Sequence, residues 1–196
     1  MRLDDQEGLG VRQMVDTLET TLLGRPVRFE LSGPWTSYMV VFTRLLVGWW
    51  FVYAGLEKYA NLWYAPAEAF DASGWLLHGT AGAPGWLHGF LVWAGSTGWL
   101  LAATNYAIPL GELLIGLGVL FGFATRLAAF FGAFLLFFFY LGSADFTNGY
   151  VNGNLLGIIL FMQLIVFGAG RIWGVDGYLE RTGFVRNHPW TRYLLG

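Results

Sequence analysis

The sequence predicts an all-α integral membrane protein: a bundle of four transmembrane helices with both termini cytoplasmic and a long aromatic outer loop between the first two helices. Of its 196 residues, 56% are hydrophobic and only 12% are charged, and the mean hydropathy is +0.52. Four segments are apolar over roughly the 20 residues that a helix needs to cross a bilayer. Basic residues flank these segments very unequally. The composition excludes an ordinary water-soluble domain.

The four predicted spans run from about Thr36 to Leu56, Leu101 to Phe123, Leu127 to Leu141 and Asn152 to Phe167. The third span is short, but the long side chain of Arg126 can reach the headgroups. We therefore expect a membrane domain over residues 35–174. A cytoplasmic N-terminal segment (1–34) precedes it and a cytoplasmic tail (175–196) follows it.

Orientation follows from the lysines and arginines outside the spans. Lys58 is the one basic residue on the predicted outer side, against nine on the other: Arg2, Arg12, Arg25, Arg28, Arg126, Arg171, Arg181, Arg186 and Arg192. The positive-inside rule makes the nine-residue side cytoplasmic. A multi-pass protein of a prokaryotic-type plasma membrane is expected.

The N-terminal segment lacks the apolar core of a signal peptide, so we expect it to be retained. Val11, Met14, Val15, Leu18 and Leu22 recur at helical spacing. This spacing predicts an amphipathic helix on the inner membrane surface.

The outer connection from Lys58 to Leu100 is long, aromatic and almost uncharged, which favours a lid packed over the bundle. Residues 84–94 are expected to form a short interfacial helix or a re-entrant segment. The aromatic residues of the loop are Trp63, Tyr64, Phe70, Trp75, Trp86, Trp93 and Trp99.

Glycines within the spans are spaced for close helix packing, because a missing side chain lets two backbones approach in lipid. The pairs are Gly48 and Gly55, Gly111 and Gly118, Gly118 and Gly122, and Gly153 and Gly157.

Arg44 and Glu112 lie inside the first and second predicted spans. Charges at membrane depth cost roughly 2.5 to 3.5 kcal/mol each, so they normally face a partner, a cavity or a substrate. Helical rise puts Arg44 about 12 Å above the inner edge and Glu112 near mid-membrane, which makes them plausible neighbours. Gln163 is expected to join them, and Pro109 to kink the helix beside Glu112. This group is either a clasp that fixes helix register or a proton-relay or quinone site.

A second polar group gathers at the outer end and is either a ligand-binding mouth or a set of helix caps and solvated loop residues. Lys58 stands out in it, because the basic residue on this face invites an anion or a partner carboxylate. The group comprises Glu57, Lys58, Asn105, Tyr106, Asp145, Asn148, Asn152 and Asn154.

Other chemistries find little support in the sequence. The net charge of -2 argues against nucleic acid. With zero cysteines, this chain carries no thiolate site or iron–sulfur cluster of its own. The three histidines share no predicted span, so no haem or metal site is expected.

Three motifs in this order resemble the DoxX/DoxD family of small four-helix membrane proteins, over about residues 39–174. They are Arg44-Leu-Leu-Val-Gly-Trp-Trp-Phe-Val-Tyr-Ala-Gly-Leu-Glu-Lys58, Asn105-Tyr-Ala-Ile-Pro-Leu-Gly-Glu-Leu-Leu-Ile-Gly116 and Thr125-Arg-Leu-Ala-Ala-Phe-Phe-Gly132. The family's charged residues fall on Arg44, Lys58, Glu112 and Arg126.

The resemblance implies a redox-linked membrane subunit. DoxD is the membrane subunit of thiosulfate:quinone oxidoreductase and works with a second polypeptide, DoxA, whereas DoxX-type relatives attach to other membrane oxidoreductases. No segment of this chain resembles DoxA. The implied partners are therefore the lipid bilayer, the quinone pool and a DoxA-like or other redox subunit. The resemblance leaves open whether the chain also forms an oligomer.

The leading hypothesis is a quinone-interacting subunit of a thiosulfate:quinone oxidoreductase or related complex. In it Arg44 and Glu112 act on the quinone, Arg126 and Gln163 are structural polar residues, and no metal is bound. The alternatives are a non-catalytic accessory or assembly subunit of a respiratory complex and, more remotely, a transporter. The expected quinone-binding residues are Lys58, Glu57, Asn105, Tyr53, Trp50, Asn152 and Asn154, with Trp49 and Phe51 completing the aromatic wall.

Overall fold

The computed structural model describes residues 15–22, 25–32, 34–65, 69–144, 146 and 149–196. Within them a β-hairpin precedes a mostly helical chain. The strands are β1 (Val15–Leu22) and β2 (Arg25–Ser32), and the helices are α1 (Pro34–Tyr64), α2 (Gly85–Ser96), α3 (Gly98–Phe121), α4 (Thr125–Ser143), α5 (Gly153–Val166), α6 (Val175–Leu179) and α7 (Gly183–Asn187). A π-helical turn forms at Trp75–Gly79, and 3-10 turns form at Ala169–Arg171 and Pro189–Tyr193.

Three helices are long and apolar enough to cross a membrane: Trp35–Asn61 within α1, and the whole of α3 and α4. Three of the four predicted spans are therefore helices that could cross a membrane, and their apolar surfaces suit a lipid bilayer. At 14 residues, α5 is apolar but shorter. Its length of about 21 Å falls short of a hydrocarbon core of about 30 Å. The fourth span and the sidedness of the membrane stay predictions.

The predicted N-terminal amphipathic helix is wrong over the part that can be checked. Residues Val15, Leu18 and Leu22 lie in β1, which pairs with β2 in antiparallel register; Val11 and Met14 lie outside the described residues. The segment is rich in threonine, and apolar residues alternate in Val27-Arg-Phe-Glu-Leu31. Threonine content and a period of two favour a strand.

Helices α1 and α3 pack backbone to backbone, antiparallel, through Gly48 and Gly55 of the predicted glycines and through Gly116, which was not among them. A side chain at Gly48 would meet Leu120, one at Gly55 would meet Leu113, and one at Gly116 would meet the backbone of Val52. This close approach positions Lys58 and Arg44 of α1 relative to Glu112 of α3, because it fixes which part of α1 faces which part of α3.

The glycine pattern is only partly confirmed elsewhere. Gly118 lies against Ala128 and Gly157 against Leu136, whereas Gly111 and Gly153 face open space. Between α4 and α5 the ring of Phe161, which is fully buried, lies over Gly132. The presence of glycines in the spans therefore predicts close helix contacts, but it does not identify the glycines that lie in them.

The bundle has one end near Lys58, the Lys58 end, and an opposite end near Arg44, the Arg44 end. At the Lys58 end, the segment 69–97, called the lid below, packs onto α3 and α4; that it covers an outer mouth of the bundle stays a prediction. Trp75 donates from Nε1 to Ser143 Oγ at 3.1 Å and meets the ring of Phe139 edge to face. The helix predicted at 84–94 is confirmed as α2, whose Leu87 and Leu91 are buried. At the Arg44 end, residues 168–196 fold against the start of α1 through the ring contact of Tyr38 with Trp173.

Candidate functional site

Glu112 is buried in α3, with 5% of its surface exposed, three residues after the helix-internal Pro109. Its partner is Lys58 near the end of α1, whose Nζ lies 2.5 Å from Glu112 Oε2. The lysine side chain is 26% exposed and the glutamate side chain 7%. The pair thus joins α1 to α3 through a carboxylate that is sequestered and an ammonium that can be approached.

A lid residue, Phe70, lies beside this pair. The ring of Phe70 lies 5.4 Å from Lys58 Nζ, a cation–π geometry. Asn105 is two helical turns before Glu112 on the same face of α3. Its Oδ1 accepts from the Ala72 backbone N–H at 2.8 Å and its Nδ2 donates to Asp71 at 3.2 Å. We call Lys58, Phe70, Asn105 and Glu112 the Lys58–Glu112 site.

Asp71 connects the lid to Asn105. It also accepts from the Ser73 hydroxyl at 2.5 Å and from the Ser73 N–H at 3.0 Å. These hydrogen bonds, from Ser73 first and then from Asn105, hold the pKa of Asp71 below its ordinary value. The lid is therefore tied to α3 at the mouth of the site.

The expected Arg44–Glu112 pair is wrong. The guanidinium of Arg44 donates instead to the carbonyls of Ala169 and Ile172, at 2.8 and 2.7 Å, and of Trp173 at 3.1 Å. The prediction placed Arg44 at the wrong height along α1 relative to α3. Because Gly48 already faces Leu120 near the end of α3, the first turns of α1 extend beyond α3, and Arg44 lies beside Gly122 in the turn that follows it.

Sequence reasoning missed Asp176, which is fully buried at the Arg44 end. Its carboxylate accepts from the backbone N–H groups of Ala124, Thr125 and Gly196 at 2.7 to 2.9 Å. It thereby caps α4, whose own cap residue, Ala124, has φ of 46° and makes no side-chain bond. The available signal was a helix start without a local Ser, Asp or Asn cap, combined with an acid in a glycine-rich tail segment.

Gln163 does not join either charge, contrary to expectation. It is exposed on α5 and lines a small pocket of about 240 Å³ with Thr36, Met39, Thr43 and Phe167, among others. Arg126 is buried in the first turn of α4, where its NH1 lies 3.5 Å from the carbonyl of Arg192. Its expected structural role remains a prediction.

The remaining predicted binding residues do not gather around Glu112. Asn152 caps α5 by accepting from the Leu155 N–H at 3.1 Å, and Asn154 follows in the first turn. Glu57, Tyr53 and Trp50 are exposed, with Trp50 lying over Gly157. Asp145 and Asn148 lie outside the described residues. Of the predicted set, Lys58 contacts Glu112 from α1, and Asn105 lies on the same face of α3 as Glu112.

A family model for DoxX matches residues 39–144, which is more than half of the chain. The chain belongs to the DoxX family. DoxX is a membrane family often linked to redox or quinone-related functions. No curated protein and no solved structure matches the chain. The matched range of this DoxX-family protein contains the Lys58–Glu112 site, Arg44 and Arg126. The narrower resemblance to DoxD stays a prediction.

Proposed function

We propose that this DoxX-family protein is a quinone-interacting membrane subunit of a redox complex and that the Lys58–Glu112 site handles the quinone head group. One observation carries the proposal: a buried carboxylate in a membrane helix is held by a lysine that remains partly exposed. Ionisable groups at membrane depth are functional by default. Here the acid has a partner that a ligand can reach.

The chemistry of quinone reduction suits these two groups. A quinone takes up two electrons and two protons to become a quinol. Lys58 turns from Glu112 to a quinone carbonyl, donates a hydrogen bond to it and polarises it, and the carboxylate that it leaves takes up a proton from the aqueous side and passes it to the reduced oxygen. Two electrons come from the redox partner subunit, and a second proton that Glu112 takes up in the same way completes the quinol. Phe70 supplies an aromatic surface beside the ammonium.

Arg44 takes no part in this chemistry under the proposal. Its two terminal nitrogens are already bonded to three backbone carbonyls, and it lies at the other end of the bundle from Lys58. It acts as a structural residue that fixes the chain reversal after α5. The catalytic role expected of Arg44 therefore passes to Lys58.

Thiosulfate is the electron donor that the DoxD resemblance favours. With zero cysteines, this chain has no sulfur nucleophile of its own. Sulfur oxidation would then belong to a DoxA-like partner, and this subunit would deliver the electrons to quinone in the membrane.

A second candidate is an accessory or assembly subunit without catalysis. It is favoured by the position of the ion pair, which links α1 and α3 next to the contact of Gly55 with Leu113 and the backbone of Pro109. In that case the ion pair of Lys58 and Glu112 only holds α1 and α3 together.

Exchanging the two charges separates the candidates. Lys58→Glu combined with Glu112→Lys keeps an ion pair between α1 and α3 but moves the acid to the more exposed position. We expect Glu112→Gln to lower quinone reduction by roughly 100-fold, as for loss of a general acid. We expect the exchange to restore thermal stability without restoring that rate.

The measurements are thermal unfolding of the purified protein, and reduction of a short-chain ubiquinone by membranes supplied with thiosulfate. Short-chain ubiquinone binding, followed by tryptophan fluorescence, provides a readout independent of the donor. Glu57→Gln removes an exposed neighbouring carboxylate and is the control. If the exchange recovers quinone reduction and binding together with stability, the pair is a staple and the accessory role is correct.

A further inference from the structure

A basic pocket lies at the Arg44 end, away from the Lys58–Glu112 site. It has a volume of about 890 Å³. Four arginines and one carboxylate are among the residues that line it, within the part of the chain that is described. The lining is Pro26, Arg126, Arg171, Gly177, Glu180, Arg181, Pro189, Trp190, Arg192 and Tyr193.

The charge of this basic pocket is organised. Arg171 donates from Nε and NH2 to Glu180 Oε1, at 3.0 and 2.7 Å. Glu180 is thus matched by Arg171. Four arginines against this one carboxylate give the described lining a net positive charge, and Arg126 is buried. Such a concave positive surface attracts an anion.

The depth of the pocket matches that of lipid headgroups. Arg126 is in the first turn of α4, a predominantly apolar helix of 19 residues. Its length of about 28 Å is close to a hydrocarbon core of about 30 Å, so the first turn would lie near the boundary with the headgroups. Trp190 and Tyr193 are largely exposed beside it, as aromatic residues at a membrane interface often are.

An apolar groove adjoins the basic pocket, and Trp190 lines both. The groove has a volume of about 560 Å³. It is lined by Phe123, Ala124, Leu179, Thr182, Phe184, Val185, Trp190, Thr191, Leu194 and Leu195. A positive pocket joined to an apolar groove is complementary to a molecule with an anionic head and a hydrocarbon tail.

We propose that residues 171–195, with Arg126, form a binding site for one anionic phospholipid. The phosphate lies in the basic pocket among Arg126, Arg181 and Arg192, and an acyl chain follows the apolar groove past Trp190. A free inorganic anion would make no use of the groove, and a zwitterionic lipid would gain less from the positive charge. The site is independent of the quinone chemistry proposed above.

The binding test uses the full chain, delipidated in detergent. It is titrated with phosphatidylglycerol, with phosphatidylcholine of the same acyl chains, and with inorganic phosphate. Native mass spectrometry and thermal shift report binding. We expect phosphatidylglycerol to bind at least tenfold more tightly than phosphatidylcholine, and inorganic phosphate at matched concentrations to leave the melting temperature unchanged.

Variants locate the site. Arg181→Gln and Arg192→Gln replace exposed arginines of the lining, and each should weaken phosphatidylglycerol binding about fivefold. Arg186→Gln is the matched control, because Arg186 is exposed on α7 but does not line the basic pocket. Melting in the absence of lipid shows that the variants are folded.

A brominated phosphatidylglycerol tests the groove, since bromine on the acyl chain quenches nearby tryptophan. Quenching should fall in Trp190→Phe relative to the unsubstituted protein. Equal affinity for the two lipids, equal loss in Arg186→Gln and Arg181→Gln, full competition by inorganic phosphate, or unchanged quenching in Trp190→Phe would each overturn the proposal.

Discussion

At the scale of single residues, the buried charges fall into two classes according to what satisfies them. Arg44 and Asp176 are satisfied by backbone groups, three carbonyls in one case and three N–H groups in the other. Glu112 is satisfied by another side chain, that of Lys58. Backbone partners cannot move without unfolding the turn that presents them, whereas a lysine side chain can. Only the second class leaves room for exchange with a ligand.

Asp176 should be the more important of the buried acids for stability. Asp176→Ala removes the acceptor of three backbone N–H groups, and each hydrogen bond to a charged group contributes roughly 1.5 to 3 kcal/mol. We expect the free energy of unfolding to fall by about 3 kcal/mol or more. Chemical unfolding in detergent measures it, and Glu57→Gln, which removes an exposed acid, should change little. A loss below about 1 kcal/mol would show that water replaces the cap.

Residue identities were easier to predict than residue partnerships. That Glu112, Lys58 and Arg44 matter follows from the cost of charge in hydrocarbon. Which of them meet depends on how far α1 is displaced along its axis relative to α3. That displacement is set by the contacts of Gly48, Gly55 and Gly116. Glycine spacing predicts close contact but not its level, so the arginine was paired with the wrong partner.

At the scale of elements, the α1–α3 contact is the interface on which the site depends. Lys58 reaches Glu112 only because the two backbones meet without intervening side chains. A methyl group added in the contact must push the helices apart, while one added on an open face costs nothing. This difference can be measured with two glycines of the same helix.

Gly116→Ala should destabilise the protein and Gly111→Ala should not. A Cβ at position 116 would run into the backbone of Val52. Overpacking of this kind lowers the free energy of unfolding by about 2 kcal/mol. A Cβ at position 111 meets nothing within 4 Å. There alanine should be neutral or stabilising by about 0.5 to 1 kcal/mol, because it is the better helix former. Thermal unfolding of the two variants in one detergent tests the contrast; equal melting temperatures would contradict it.

The lid is attached to α3 partly through Asp71, and this attachment should depend on pH. The pKa of Asp71 is lowered from its ordinary value of 3.8 by hydrogen bonds from Ser73 and Asn105. A lowered folded-state pKa contributes stability that is present above the unfolded value and lost as the pH falls through the folded one. The contribution should therefore be complete at neutral pH and decline below 3.8.

Asp71→Asn isolates this effect, because asparagine does not titrate in the range. The difference in unfolding free energy between the unsubstituted protein and Asp71→Asn should be constant from pH 7 to pH 5. It should shrink toward pH 3, as the carboxylate becomes protonated below the ordinary carboxyl pKa. Unfolding curves at several pH values provide the measurement. A difference that grows on acidification would mean that the carboxylate is not the favoured form in the folded lid.

At the scale of the whole molecule, most of the helical framework could be predicted from the sequence. Apolar length located α1, α3, α4 and α5 to within a few residues at most ends. The aromatic content of the connection between α1 and α3 agrees with the packing of residues 69–97, while its outer location stays a prediction. The far end of α1 was placed too early at Leu56, because Glu57 and Lys58 resemble a boundary. The helix continues to Tyr64, since the charge of Lys58 is matched by Glu112 in α3.

Contacts made by the last thirty residues could not be predicted. Arg44 binds carbonyls exposed by a chain reversal, and a carbonyl carries no sequence signature. Asp176 caps a helix that begins some fifty residues earlier, so local capping rules do not find it. The hairpin β1–β2 was missed because Val15, Leu18 and Leu22 of β1 also fit helical spacing.

The distant cap has a consequence for biogenesis. Because the chain leaves the ribosome in sequence order, α1, α3 and α4 reach the membrane before Asp176 does, so during their insertion α4 has no carboxylate at its first turn and Arg44 has no carbonyls to bind. Integration into the bilayer and completion of the native packing are therefore separate events in time. The interval between them is the period in which this chain is most open to quality control, and it closes only after residues 169–176 have left the ribosomal tunnel.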